Sequence, residues 1–311
     1  MCRTATVPFP PTELMDRVGP GEGDDAQEAF DHEGARLRQI IESSLPEGWS
    51  FEGKRVLDFG CGAGRVLRQF LDEAQRAEFW GCDIDSQSIA WLAENLSPPL
   101  QCFQNGREPP LRFEDGSLDL VWAMSVFTHI ENWSPWLLEM HRVLAPEGIL
   151  IASFLGEGMW PPLVREPYRE DEVGMTVLRH WQAEGADVLH SEWWLRAHWG
   201  RGFDVLSVEH PLRAADGSMS IAHSYITLRK RPVTVTRAGL EWRDPSEPRE
   251  LAALDTNLRV LRYEMAALRS YSTLRALLSS RARELASRSL LGGTPGRLLE
   301  GLQSLRRSVH H

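Results

Sequence analysis

Ten residues constrain this chain more than any others: Val56-Leu57-Asp58-Phe59-Gly60-Cys61-Gly62-Ala63-Gly64-Arg65. An apolar run that meets three alternate glycines reads as a strand entering a tight turn and then a helix. Nineteen residues past Gly64 stands Asp83, in Phe79-Trp80-Gly81-Cys82-Asp83-Ile84-Asp85, a second apolar strand ending in acid. Strand, glycine turn, helix, strand and terminal acid form the unit with which a doubly wound α/β sheet holds a nucleoside. The glycines let the backbone approach the ligand, and the acid accepts hydrogen bonds from ribose hydroxyls. The spacing argues against a dinucleotide. G-x-G-x-x-G would need a third glycine where Arg65 stands, so a nicotinamide dehydrogenase is the weakest of the readings weighed here.

Acid-x-Gly-x-Gly-x-Gly, led by Asp58, resembles motif I of the class I S-adenosylmethionine methyltransferases. That ligand carries no phosphate. It carries a sulfonium, an amine and a carboxylate, so an acid near the turn suits it electrostatically. Asp83-Ile84-Asp85 before a helix resembles motif II. Asn105-Gly106, followed by Pro109-Pro110-Leu111 and Phe113-Glu114-Asp115-Gly116-Ser117, resembles the loop that brings a polar side chain to the adenine amine. Asp119-Leu120-Val121 through Ser125-Val126-Phe127-Thr128-His129 resembles the fourth strand and its trailing loop. His141-Arg142-Val143-Leu144-Ala145-Pro146-Glu147-Gly148 resembles the helix and turn before the fifth strand, with Pro-Glu-Gly in place of Pro-Gly-Gly. The resemblance covers residues 54–155 well and 8–230 loosely, and is to the bacterial members of the family. It implies a Rossmann-like fold, a mostly parallel seven-stranded sheet with an antiparallel last strand, followed by a C-terminal helical tail.

Carried over residue by residue, the resemblance implies S-adenosyl-L-methionine as cofactor and gives it a set of contacts. Asp58 would position the amino end of the methionine part. Gly60, Cys61 and Gly62 would offer backbone to it, and Asp83 would take both ribose hydroxyls. Charge-assisted bonds of this kind contribute about 1.5–3 kcal/mol each. Ile84 would flank the adenine, Asn105 with Gly106 would meet its polar edge, and Ser125 would lie beside the sulfonium.

Composition narrows the partners. The chain has 311 residues and a net charge of −10, which argues against a general nucleic-acid binder. Residues 241–311 hold 12 Arg against 8 acids, so the acidity belongs to the rest of the chain. Cys2, Cys61, Cys82 and Cys102 show no metal-ligand spacing and read as reduced structural thiols in a cytoplasmic protein. No bound metal is expected. The N-terminus has no apolar run of signal-peptide length, and no stretch reaches membrane-spanning length.

The domain reading is an N-terminal loop segment over 1–25, a methyltransferase domain over 26–235, and a helical tail over 236–311. Residues 26–45 read as a helix, and strands are expected at 55–59, 78–82, 101–104, within 113–125, and at 149–154. Helices are expected at 64–73, from Ser86 (as its cap) to Leu96, and at 134–144. Strands alternating with helices imply a parallel sheet. Residues 156–200 break the rhythm and hold five of the twelve tryptophans, Trp160, Trp181, Trp193, Trp194 and Trp199. They read as a cap insertion over the acceptor or as the core of an inserted subdomain. Residues 203–209 and 223–229 look like the closing antiparallel pair. Leu251, Leu254, Leu258, Leu261, Met265 and Leu268 repeat at 3-4-3-4-3 spacing, a heptad seam of under three heptads. It reads equally as a docking or homo-oligomer helix and as a helix packed on its own domain. The Arg-rich stretch 275–288 could touch an anionic membrane surface, less favourably than it could stand as a solvated face, and 292–296 breaks the tail.

Methyl transfer requires alignment of the acceptor and, for a hydroxyl, removal of its proton. His129 follows the fourth strand at the ligand-binding edge and is the best single candidate for a general base; His223 and His198 are weaker. Neither the Asn-Pro-Pro-Tyr of amide or adenine nitrogen methylation nor a Pro-Cys nucleophile is present. The expectation is O-methylation of a small molecule or sugar. The tail resembles those of methyltransferases encoded beside bacterial glycosyltransferases, which suggests a surface-polysaccharide or secondary-metabolite acceptor. The alternative is a non-catalytic domain that binds the cofactor and docks partners through its C-terminal helix.

Overall fold

The computed structural model describes residues 7–19, 25–160, 169–179, 185–211 and 222–289, with backbone alone from residue 271. Cys2, Trp181 and the 292–296 break lie outside these residues, as do the side chains of 275–288. The chain divides into two units, 1–257 and 258–311.

The first unit is built on a seven-stranded sheet. Its strands are β1 (Arg55–Phe59), β2 (Glu78–Asp83), β3 (Gln101–Gln104), β4 (Leu118–Ala123), β5 (Leu144–Phe154), β8 (Phe203–Glu209) and β9 (Ser224–Lys230). The order is β3-β2-β1-β4-β5-β9-β8. Neighbours among β1 to β5 are parallel, and β9 runs antiparallel to both β5 and β8. This is the Rossmann-like methyltransferase sheet expected from the sequence. A separate antiparallel pair, β6 (Met175–Arg179) with β7 (Ala186–His190), follows β5.

Successive residues of the central strands face opposite layers. Val56, Trp122, Ile149 and Ile151 pack with Phe70, Phe79 and with Leu37 and Ile41 of helix α2 (Ala26–Ser44). Leu57, Ala123, Leu150 and Ala152 pack with Trp136, Leu137 and Met140 of helix α4 (Trp133–Val143). Strands covered on both faces need near-continuous apolar runs, and β4 and β5 have them. The remaining helices are α1 (Thr12–Asp16), α3 (Ser86–Asn95), α5 (Glu192–His198), α6 (Arg237–Glu241) and α7 (Pro248–Ser289). Thus one helical turn, α1, lies within the segment read as loop.

Three local expectations need correction. The helix expected over 64–73 is instead two short 3-10 turns, Leu67–Phe70 and Glu73–Gln75. Arg38 of α2 donates to the Gln69 carbonyl and to Glu73, taking an acceptor that a continuing α-helix would use. The cap of α3 is Asp85, whose carboxylate accepts from the Gln87 N–H at 3.2 Å; Ser86 is the first helical residue. The turn expected at 145–148 is an irregularity inside β5, with the pairing to β4 shifting between Leu118 and Leu120.

The described tryptophans of 156–200 are core. Trp193, Trp194 and Trp199 are buried with Trp133, the Trp133–Trp194 rings meeting edge-on at 5.0 Å. Trp160 is buried beside Leu155 and Val173. His198 is also structural: Nδ1 meets the Leu240 carbonyl at 2.8 Å and Nε2 meets Glu250 at 2.9 Å. In the second unit Leu258, Leu261 and Met265 are exposed, and in the first Leu251 and Leu254 are exposed too.

One buried carboxylate ties α4 to the loop after β3. Glu139 accepts from the Leu111 N–H at 2.6 Å and from Arg142, which also donates to the carbonyls of Leu111 and Phe113. Glu139→Ala leaves the buried Leu111 N–H without its acceptor and takes one acceptor from a guanidinium that keeps Asp115 and two carbonyls, so it should cost about 1–3 kcal/mol. The urea midpoint should fall with an unchanged slope; a shift worth under about 0.5 kcal/mol would remove this tie from the account.

Candidate cofactor and acceptor site

The chain leaves β1 for β2 and β3 and then returns to β4 on the other side of β1. At such a switch point the loops diverge, and a crevice opens outside the carboxyl ends of the strands. A cleft of about 1610 Å³ lies there. Asp58, Gly60, Cys61, Asp83, Ile84, Asn105, Gly106, Ser125 and His129 all line it. Gly62, the remaining residue expected to meet the cofactor, is not among the lining residues.

The glycine turn explains this. The N–H groups of Gly60 and Cys61 both donate to the Cys82 carbonyl, at 2.8 and 3.0 Å, which fixes the turn to the end of β2. Gly60 and Gly62 have φ of +77° and +51°. A Cβ on Gly60 would stand 2.3 Å from Val126, and one on Gly62 would stand 2.3 Å from Val18, so neither position admits a side chain. Val18 therefore covers Gly62. The Gly62 N–H donates to Asp83 Oδ2 at 2.8 Å.

Asp83 holds two turns at once, because its Oδ1 accepts from the Asp85 N–H at 2.8 Å. A carboxylate has about four acceptor sites, so each oxygen keeps capacity for a ribose hydroxyl. Ile84, beside it, is 47% exposed, a large apolar side chain left open on the cleft wall. Asn105 is held by its own N–H to the Asp83 carbonyl at 3.0 Å. Its Oδ1 is buried without a partner.

Asp58 is 2% exposed and its Oδ2 is likewise buried without a partner. Burial pushes its carboxyl up to about 7; the Trp122 indole and the Arg65 charge oppose this, and the Asp83 charge adds to it. Burial lowers Arg65, which has no partner on its buried Nε.

Further along the cleft, Ser125 follows β4 with φ of 60°. Its N–H donates to Ser153 Oγ at 2.7 Å, and its Oγ lies 3.4 Å from His223 Nδ1. Burial lowers His223, reinforced by His129 and Arg36. His129 is more exposed: its Nδ1 lies 2.9 Å from the Ala186 carbonyl and 3.6 Å from an Asp187 oxygen. Nδ1 thus carries the proton, and Nε2 is the acceptor. Opposite, Arg36 makes two 2.7 Å bonds to Glu33 and one of 3.2 Å to the Tyr225 hydroxyl. Among the described residues, no group of three or more His, Cys, Asp or Glu is arranged to hold a metal ion.

The sequence reading missed Arg36, Tyr225, Ser153, Asp187 and Val18, which come from elements without motifs. Arg65 was visible, as the residue that breaks a dinucleotide pattern, but not as a lining group.

Three orphaned polar atoms in one cleft fit one molecule. Asp58 Oδ2 can accept from an ammonium, Asn105 Oδ1 from an adenine amine, and Arg65 Nε can donate to an acid.

Residues 57–152 match a family model described as "Methyltransferase domain". The chain is 29% identical over 160 residues to the "Probable tocopherol O-methyltransferase, chloroplastic" of Oryza sativa subsp. japonica, covering 49% of this chain and 43% of that one. It is 27% identical over 231 residues to the "Tocopherol O-methyltransferase, chloroplastic" of Arabidopsis thaliana, covering 68% and 59%. The chain thus spans about half the length of these curated relatives. A solved SAM dependent methyltransferase from Aquifex aeolicus is similar at TM-score 0.47 and 14% identity, over 72% of this chain and 100% of that one. Residues 57–152, from β1 through nearly all of β5, are thus similar to a methyltransferase domain, and that similarity with this fold implies S-adenosylmethionine as the cofactor.

Proposed function

We propose that this protein is an S-adenosylmethionine-dependent methyltransferase that methylates an oxygen of a small molecule or sugar, with His129 as the general base. The observation that carries the reading is the cleft itself. Its glycine-turn half is lined by Asp58, Arg65 and Asn105, each with a buried polar atom that has no partner, and its other half continues past Ser125 to an imidazole with a free acceptor nitrogen. Similarity to two tocopherol O-methyltransferases supports a hydroxyl acceptor. A surface-polysaccharide or secondary-metabolite unit is the acceptor class this reading favours.

The bound cofactor would supply a methyl group activated by a sulfonium. The protein's own task is alignment and proton removal. Asp83, Ile84 and Asn105 would fix the nucleoside, and Asp58 the amino end. The acceptor hydroxyl would lie between Ser125 and His129, and His129 Nε2 would take its proton. The Ala186 carbonyl and Asp187 hold the ring in that tautomer and stabilise the imidazolium that forms. The free thiols Cys61, Cys82 and Cys102 suit a cytoplasmic location, and among the described residues no helix is long and apolar enough to cross a membrane.

A non-catalytic cofactor-binding module that docks partners or a second copy is the other reading. The exposed Leu251, Leu254, Leu258, Leu261 and Met265 favour it. Turnover with an acceptor panel separates the two.

Calorimetric titration should give saturable S-adenosylmethionine binding to wild type and loss of that binding in Asp83→Ala. Absence of wild-type binding would sink the cofactor reading. His129→Ala should lower kcat by roughly 10²–10⁴-fold while leaving cofactor affinity intact. A larger loss in His223→Ala than in His129→Ala would transfer the base role to His223.

Cofactor affinity should also depend on pH through Asp58. Below about 7 its protonation removes the anion that meets the ammonium, weakening binding by up to about tenfold per pH unit. Without ligand the sign is opposite. A carboxyl raised in the fold contributes stability that is full below its unfolded value near ~3.9 and is lost as pH rises through about 7. Asp58→Asn should therefore melt above wild type at pH 8, with the gap narrowing toward pH 5, and should bind the cofactor weakly at both. A gap independent of pH would refute the assignment.

A further inference from the structure

A second cavity, of about 380 Å³, shares no lining residue with the cleft. Alternation at the end of β5 separates the two. Ser153 and Leu155 line the cleft, whereas Phe154 and Gly156 line the second cavity, together with His190 at the end of β7, Glu192 at the start of α5 and His210 just past β8. None of its lining residues is Lys or Arg, and three are carboxylates, Glu157, Glu170 and Glu192. Glu192 is engaged at both oxygens. Arg196 Nε donates to Oε1 at 2.6 Å, and Oε2 meets His210 Nε2 at 2.8 Å. Glu170 is exposed, and no hydrogen bond holds its carboxylate. Burial raises it, the Glu192 and Glu157 charges add to this, and His210 and Arg249 oppose it. A cation relieves such an excess of carboxylate. Because no group of His, Cys, Asp or Glu among the described residues is arranged to hold a metal ion, an organic cation suits the cavity better. Phe154 and Trp160 give that cation apolar walls, the Trp160 N–H being spent on the Leu155 carbonyl at 3.2 Å.

His190 is an independent sign of a ligand. It is fully buried, it lines the cavity, and neither ring nitrogen has a hydrogen-bond partner. Burial pushes it down to about 3, against the pull of the nearby Val188 carbonyl, so at neutral pH the ring is uncharged. A neutral imidazole carries one donor and one acceptor, which is also the pattern of a hydroxyl. Two unpaired nitrogens in the core are costly unless something else meets them. We propose that this cavity is a second ligand site, for a small hydroxylated amine (an amino sugar or an amino alcohol), with the ammonium at Glu170 and a hydroxyl at His190. The proposal is independent of what occupies the cleft.

The test is calorimetric titration of the full chain at pH 7 with two amines and their counterparts. Glucosamine is compared with glucose, which lacks the ammonium, and with cyclohexylamine, which lacks the hydroxyls. Ethanolamine is compared in the same way with ethylene glycol and ethylamine. At least one amine should bind saturably, about 10- to 100-fold tighter than its uncharged counterpart and about 5-fold or more tighter than its hydroxyl-free one. The tighter of the two amines names the source, sugar or short alcohol. Glu170→Gln should erase the first preference and His190→Phe the second. His129→Ala, which alters the cleft alone, should leave amine binding unchanged. Glu170 is exposed, so its variant keeps the test open even if His190→Phe fails to fold. Wild type that binds neither amine, or binds either counterpart as well as the amine, would overturn the proposal. So would amine binding that survives Glu170→Gln and is lost in His129→Ala, which would place the amine in the cleft.

Discussion

The carboxylate of Asp83 is the constraint on which the site depends. One oxygen holds the Gly62 N–H and the other holds the Asp85 N–H, so a single side chain closes the turn after β1 and the turn after β2. Backbone bonds from Gly60 and Cys61 to the Cys82 carbonyl reinforce the same junction. Each of these N–H groups would otherwise be a donor in search of a partner at a strand end. Because the junction is satisfied internally, the turn can be rigid before any ligand arrives. Among the residues that line the cleft, Asp58, Arg65 and Asn105 each keep a buried side-chain atom without a partner. A site of that kind is preorganised, and ordering it on binding costs little.

That division also shows what could be read from the sequence. The strands β1 and β2 were legible to within a residue because each is a short apolar run that meets glycine or acid, and β3 because Pro98-Pro99 and Asn105-Gly106 bracket it, whereas β4 was placed only within 113–125. Asp58, Asp83 and Asn105 were legible because the parallel sheet ties their places to the glycine turn. The 3-10 turns after Gly64 were not. They depend on Arg38, some thirty residues upstream, reaching the Gln69 carbonyl, and no window of local sequence contains that contact. Ser86 looked like the cap of α3, but the preceding acid is the better acceptor for the free N–H groups of the first turn, and Asp85 took the role.

The half of the cleft past Ser125 was the least legible part. Its walls combine His129 after β4, Ser153 on β5, Asp187 on β7, Tyr225 on β9, and Glu33 and Arg36 on α2. Five elements far apart in the chain meet there, and apart from the loop that carries His129 none shows a pattern that announces its role. His198 illustrates the opposite error. A histidine in a Trp-rich segment invites a catalytic reading, yet it joins the Leu240 carbonyl to Glu250 inside the core. His129 and His198 differ in where they face, and only the assembled fold decides that.

The pairing of β7 with the loop after β4 has a wider consequence. The Val188 N–H donates to the Thr128 carbonyl at 2.7 Å, and the Ala186 carbonyl fixes the His129 ring. The hairpin that carries β7 is inserted after β5, outside the strands that build the glycine turn. Lengthening, shortening or reshaping that hairpin redraws the cleft wall around His129 and leaves Asp58, Gly60 and Asp83 where they are. The two halves of the cleft are therefore separable in evolutionary terms. Indels in a single hairpin can change the shape of one half of the cleft while the glycine-turn half is inherited intact.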